Sequence, residues 1–160
     1  MGFFKQIRRL AYLAALLGYT FFELLHSGLT RRTFEFPALA NGELVVEDRM
    51  LYKADSLEQN IKNYVEELIL GPISITCAPL LTKGVKLQSF MYRDGTVYAD
   101  FSGDAALPVQ GGAPLFESFL ALNRGIRRNF HSISNVKLFV NGNEVFFSEF
   151  DRIFGPNPRN

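Results

Sequence analysis

From Leu10 to Phe22 the chain is an unbroken, nearly apolar run, Leu-Ala-Tyr-Leu-Ala-Ala-Leu-Leu-Gly-Tyr-Thr-Phe-Phe. Glu23 interrupts it, and Leu24, Leu25, His26, Ser27, Gly28 and Leu29 follow, with Arg8-Arg9 before the segment and Arg31-Arg32 after it. As a helix, residues 10–29 would measure about 30 Å, the thickness of a bilayer core. A cleaved signal peptide also suits the basic start and the short apolar run, but no small-x-small cleavage site follows Phe22. No cysteine follows the run to serve a lipoprotein signal. A retained transmembrane signal anchor fits best, with Glu23 and His26 at the far interface, where polar ends reach headgroups at modest cost. Glu23 and His26 share a helical face and would suit a proton relay or a partner helix; the plainer reading is two polar residues where the span ends. The small-residue pairs Ala11/Ala15 and Ala14/Gly18 are compatible with helix pairing and a homo-oligomer. Lys5, Arg8 and Arg9 before the span outnumber Arg31 and Arg32 after it, which favours a single pass through the cytoplasmic membrane with the N-terminus on the cytoplasmic side and the domain outside.

The resulting organisation is a basic tail (1–9), an anchor (10–29), one folded domain (30–149) and a loose tail (150–160) rich in Gly, Pro and Asn. Charge is uneven along the chain. Residues 1–32 carry five Lys+Arg against one Glu, net +4; residues 33–160 carry twelve against fifteen Asp+Glu, net −3. A mildly acidic domain lacks the basic footprint that nucleic acid demands, so no nucleic-acid partner is expected. One cysteine, Cys77, excludes an internal disulfide framework and multi-cysteine metal sites, and two histidines leave little for a histidine metal site; neither metal nor cofactor is expected.

Within the domain, Thr33-Phe34-Glu35-Phe36 alternates as a short strand ending at Pro37, and Asn41-Gly42 signals a turn. Leu44-Val45-Val46 and Met50-Leu51-Tyr52 supply one or two further strands. Asp55 caps a helix whose stripe is Leu57, Ile61, Tyr64, Val65, Leu68 and Ile69, and Gly71-Pro72 ends it. Val85 to Ser102 reads as a hairpin turning at Asp94-Gly95, with a bulge in its first strand. Pro114 opens a second helix with Leu115, Phe119, Leu122 and Ile126 on one face. Val136, Leu138 and Val140 alternate into a turn at Asn141-Gly142, and Glu144 to Phe147 returns. This order predicts an α+β fold, with two helices packed on one face of a mainly antiparallel sheet, behind the N-terminal transmembrane helix.

The ordered motifs resemble the GerMN domain of spore germination, sporulation and other bacterial envelope proteins. The resemblance runs from about Phe34 to Phe147. It rests on the helix end Leu70-Gly71-Pro72, on Leu81-Thr82-Lys83-Gly84-Val85-Lys86-Leu87, on the strand Gly95-Thr96-Val97-Tyr98-Ala99-Asp100-Phe101-Ser102, and on Val136 to Gly142. Thr82 stands where the family usually has Pro, Ala99 where it has Val, and Ile73 to Leu80 has no evident counterpart. The resemblance implies a single extracytoplasmic domain, held at the membrane, that binds or assembles rather than catalyses. The motif positions Leu70, Gly71, Pro72, Gly84, Asp100, Ser102 and Gly142 also have structural explanations in helix ends, turns and loop anchors.

Candidate chemistry is sparse. Cys77, His131 and Asp100 are the ingredients of a cysteine nucleophile, but no spacing unites them, and Cys77 lies in an apolar stretch. Gly111-Gly112 lacks the Lys and Ser/Thr of a phosphate loop. The candidate binding surface is Arg124, Arg127, Arg128 and His131, at i, i+3, i+4 and i+7 along the second helix. It suits an anionic partner: lipid headgroups, a wall polymer or an acidic envelope protein. The alternatives are a solvated face whose cations complement the helix dipole and, for the whole protein, a small envelope hydrolase or a soluble-ligand binder.

Overall fold

The structure, a computed structural model, describes residues 12–20 and 28–145. Residues 12–20 form helix α1, and all nine are exposed, including Tyr12, Leu13, Leu16, Leu17 and Tyr19. Among the described residues no helix is long and apolar enough to cross a membrane. The rest of the expected span, residues 10, 11 and 21–27, lies outside them, as do residues 146–160.

The domain begins with an antiparallel hairpin, β1 (Leu29–Pro37) and β2 (Leu44–Tyr52), paired from Leu29↔Tyr52 to Pro37↔Leu44. The expected short strand is therefore nine residues long, and it starts at the last residue assigned to the span. Residues 44–52 form one strand rather than two. Helix α2 (Leu57–Leu70) buries Ile61, Tyr64, Val65 and Leu68. Its cap is Ser56, not Asp55: the Ser56 hydroxyl accepts the Gln59 N–H at 3.1 Å. Gly71 closes the helix at φ 88°, and its N–H donates to Leu68 O.

The second sheet has the order β3 (Leu87–Arg93), β4 (Thr96–Phe101), β5 (Asn135–Val140), β6 (Asn143–Glu144). Strands β3 and β4 turn through Asp94 and Gly95, both at positive φ, as the sequence predicts, with the register shift between Leu87 and Ser89. After β4 come a short 3₁₀ turn (Gly103–Ala106) and helix α3 (Leu115–Asn129). Crossing through α3 brings the chain back to the end where β4 began, so β5 lies parallel to β4, Thr96↔Asn135 through Phe101↔Val140. This corrects the expected mainly antiparallel sheet: the four-stranded sheet is mixed, and the hairpin β1–β2 forms a separate two-stranded sheet. Asn141 and Gly142, both at positive φ, make the last turn, and the Val145 N–H reaches Leu138 O.

One core joins these parts. Val97, Ala99 and Phe101 of β4, Val136 and Leu138 of β5, Phe119, Leu122 and Ile126 of α3, and Phe34 and Phe36 of β1 are all buried. Tyr64 of α2 links the layers, stacked on Phe34 (centroids 4.6 Å apart) and edge-on to Phe130 (5.8 Å).

Candidate functional site

Helix α3 ends against the first half of β1, and side chains make the joint. The Asn129 amide copies a strand partner: its Oδ1 accepts the Thr33 N–H at 2.9 Å, and its Nδ2 donates to Thr33 O at 2.7 Å and to Gly125 O at 2.9 Å. The Tyr64 hydroxyl also donates to Thr33 O, at 3.1 Å. Burial, with Glu35 nearby, pushes the Tyr64 phenol well above its ordinary range. Arg32 reaches in from β1. It donates to Asn129 O at 2.7 Å, and its guanidinium lies 4.2 Å from the Phe130 ring centroid. A cation at the helix C-terminus satisfies a terminal carbonyl and the dipole. Partial burial lowers the Arg32 pKa, although its ordinary value is so high that the charge stays.

This joint shows where the four candidate residues sit. Arg124, Arg127 and Arg128 are exposed on α3. Arg128 is ion-paired with Glu35 of β1. The helix stops at Asn129, so His131 is exposed in the following turn and does not continue the helical face. Arg31 and Arg32 join this basic end from β1. In the sequence both stand at the flank of the apolar segment, yet the alternation through Phe34 and Phe36 extends backward to place Arg32 on their face. Arg31 is ion-paired with Asp48, which also accepts from the Thr33 hydroxyl at 2.9 Å. These hydrogen bonds hold the Asp48 carboxyl below its usual range and raise the Arg31 pKa.

A second polar cluster lies inside. Arg49 is 7% exposed. It donates to Glu67 Oε1 at 2.9 Å, Glu47 Oε2 at 2.8 Å and Gly71 O at 2.7 Å, with its guanidinium 4.7 Å from the Phe34 ring centroid. Glu47 in turn accepts the backbone N–H groups of Ser74 (3.0 Å) and Ile73 (3.2 Å). Burial pushes the Glu47 carboxyl up, but Arg49 and the two N–H donors together outweigh it and leave the group below its ordinary value. The cluster ties β2 to the end of α2 and to the loop after it; nothing in the sequence pattern announces it beyond two charges at i, i+2 in a strand.

The motif residues are placed in turns and anchors. Asp100 Oδ1 accepts the Gly142 N–H at 3.0 Å, and Ser102 Oγ accepts the Lys86 N–H at 3.1 Å. Gly71 O serves Arg49, Gly84 and Gly142 have positive φ, Pro72 is half-buried and Leu70 is exposed. Cys77 is buried and bridged through its backbone to Ala38, Asp100 serves the β5–β6 turn, and His131 follows α3, so each has its own surroundings. Among the described residues no group of three or more His, Cys, Asp or Glu is placed to hold a metal ion.

The comparisons with known proteins bear on this arrangement. No curated protein matches the chain by sequence. The first GerMN domain of the sporulation protein GerM from Bacillus subtilis aligns over 72% of this chain and 86% of its own length, with 21% identity and a TM-score of 0.50. The tandem GerMN domains of the same protein align over 73% of this chain at 22% identity and a TM-score of 0.50; the match spans 41% of that longer chain. A candidate lipoprotein from Clostridium perfringens aligns over 74% of this chain and 78% of its own, at 21% identity and a TM-score of 0.47. The two GerM structures support the fold. The family model described as Germane, sporulation and spore germination, matches residues 36–146, from the end of β1 to the residue after Val145. The chain therefore belongs to the Germane, or GerMN-domain, family of sporulation and spore germination proteins.

Proposed function

We propose that this protein is a non-catalytic binding or assembly module of the bacterial envelope, held at the membrane by its apolar N-terminal segment, which ends before β1 begins at Leu29, with its GerMN domain outside the cytoplasm. Family membership supports the envelope setting. The exposed, apolar surface of α1 supports the anchor, because a helix that is apolar on all sides needs a lipid or protein environment. The observation that carries the binding role is the last half of α3. Arg128 is engaged with Glu35, whereas Arg124 and Arg127 project into solvent without an ion-pair partner among the described residues. Two uncommitted guanidinium groups, one turn apart on a rigid helix, are suited to an anionic envelope component.

The test is photo-crosslinking in intact cells from a benzophenone amino acid at position 123, beside both arginines. The expected result is a discrete adduct that the double change Arg124→Glu and Arg127→Glu removes, with the protein level unchanged. An adduct that survives charge reversal, or no adduct at all, contradicts the binding role.

A further inference from the structure

The β1–β2 hairpin has one face in the core and one in solvent. Phe34, Phe36 and Arg49 point inward. In-register partners of an antiparallel pair point to the same side, so Leu29 with Tyr52, and Arg31 with Met50, lie together on the open face. At this end Tyr52 is 79% exposed, Met50 57% and Leu29 37%, and the Arg31 side chain is 71% exposed. The Lys53 N–H donates to Gly28 O at 2.6 Å and closes the end of the hairpin. The last turn of α3 arrives at the same end, since Arg32 binds Asn129 O, and it brings Arg127 and Arg128. Asp48 is engaged with Arg31 and Glu35 with Arg128, and although Asp55 follows Lys53 by two residues, neither Lys53 nor Arg127 has an ion-pair partner among the described residues. The domain, residues 30–149, carries twelve Lys+Arg against fourteen Asp+Glu, net −2, so a basic, aromatic and apolar corner on it is a local anomaly.

Its position in the chain names an occupant. The apolar run ends at Phe22, and six residues separate it from β1 at Leu29. Six residues reach at most about 20 Å when fully extended, so the Leu29–Tyr52 end is the part of the domain held nearest to whatever holds the run. The chemistry matches a bilayer surface. Tyrosine favours the headgroup layer, Met and Leu favour the acyl boundary, and arginine and lysine favour anionic headgroups.

We propose that the open face of the hairpin at its Leu29–Tyr52 end, with the last turn of α3 beside it, seats on the anionic lipid surface of the bilayer that holds the apolar run. The inference rests on the membrane-held part of the reading above and names the partner of its basic end. It also fixes the domain's attitude. The other end of the hairpin, with exposed Leu39 bonded through its N–H to Thr76 O and exposed Ile75 beside it, faces away from the membrane.

The chain contains no tryptophan, so single-tryptophan reporters can be placed at will. Full-length Tyr52→Trp and Leu39→Trp proteins, on exposed positions at opposite ends of a hairpin about 30 Å long, are reconstituted in vesicles of phosphatidylglycerol with dibrominated phosphatidylcholine. Flotation reports whether the protein is membrane-held, and circular dichroism reports folding. The expected result is flotation of both, strong bromolipid quenching of the position-52 reporter, and little quenching of the position-39 reporter. Adding Lys53→Gln or Arg127→Gln should weaken the seated state roughly fivefold per cation removed. Flotation with equal quenching at both positions overturns the seating while leaving the anchor intact. Failure to float overturns the anchor and the seating together. Position-52 quenching that is unchanged in vesicles without phosphatidylglycerol overturns the anionic surface as the partner.

Discussion

Gly125 shows how a single position decides the joint between helix and strand. In a helix interior alanine is normally better than glycine by about 0.5–1 kcal/mol. Here a Cβ would stand 2.5 Å from the Tyr64 hydroxyl oxygen. Tyr64 cannot easily retreat, because its ring lies against Phe34 and Phe130 and its hydroxyl is bonded to Thr33 O. Gly125→Ala should therefore destabilise by about 1–3 kcal/mol, read as a lower urea midpoint; a midpoint unchanged or raised would show the joint to be loose. Arg49 makes the complementary case. Arg49→Met leaves two carboxylates without their cation, and the loss should fall at or below the lower end of about 3–5 kcal/mol, because water still reaches both Glu47, whose side chain is 14% exposed, and Glu67, 30% exposed. Glu47 adds a pH dependence. Its folded pKa is below its ordinary 4.5, so its stabilisation is complete above that value and fades as pH falls through the lower folded one. The stability gap between wild type and Glu47→Gln should be constant near neutral pH and shrink below about pH 4.5, as followed by urea titration; a gap independent of pH would assign the effect to something other than the charge. None of these contacts was legible in the sequence. Glycine in α3 reads as a mild defect until Tyr64 is placed over it, and the Arg49 cluster unites residues from β2, α2 and the loop after it.

At the scale of elements, local patterns carried far. Most of the stripe of α2 (Ile61, Tyr64, Val65 and Leu68, but not the exposed Leu57), the Asp94-Gly95 turn with its bulge, and the buried alternation of Val97, Ala99 and Phe101 are readable, because each depends on neighbours within one element. Pairing between distant strands was not. The sequence from Ser102 to Ser134 shows a loop and a helix but not to which strand the chain returns, so the parallel β4–β5 ladder was missed. The strand limits erred for a related reason. Leu29 to Arg32 look like the margin of the apolar segment, and only their partners Tyr52 to Arg49 make them a strand. The family motif belongs at this scale too. Asp100 holds the β5–β6 turn through the Gly142 N–H, so Asp100→Ala should cost about 0.5–1.5 kcal/mol and speed amide exchange at Gly142. Protection unchanged at that amide would remove the structural account of the aspartate.

For the molecule as a whole, the basic end at α3 was half visible. Arg124, Arg127 and Arg128 could be placed on one helical face from their spacing, whereas His131 falls beyond the helix end, and the contribution of Arg31, Arg32 and Lys53 needed the tertiary fold. What the whole arrangement shares is polarity along the chain: an apolar, basic N-terminus, a basic corner of the domain beside it, and an acidic remainder carrying the family fold. That polarity has meaning only if the apolar segment is retained in a membrane and the domain lies on its outer side. The direct measurement is topology. An epitope tag after Asn160 is exposed to protease outside intact spheroplasts, and the blot is read for both tag and chain length. The tag is expected to be lost while a cytoplasmic control survives, and the untreated protein is expected to run with its apolar segment still attached. A protected tag, or a chain shortened by the length of its apolar segment, would contradict this topology.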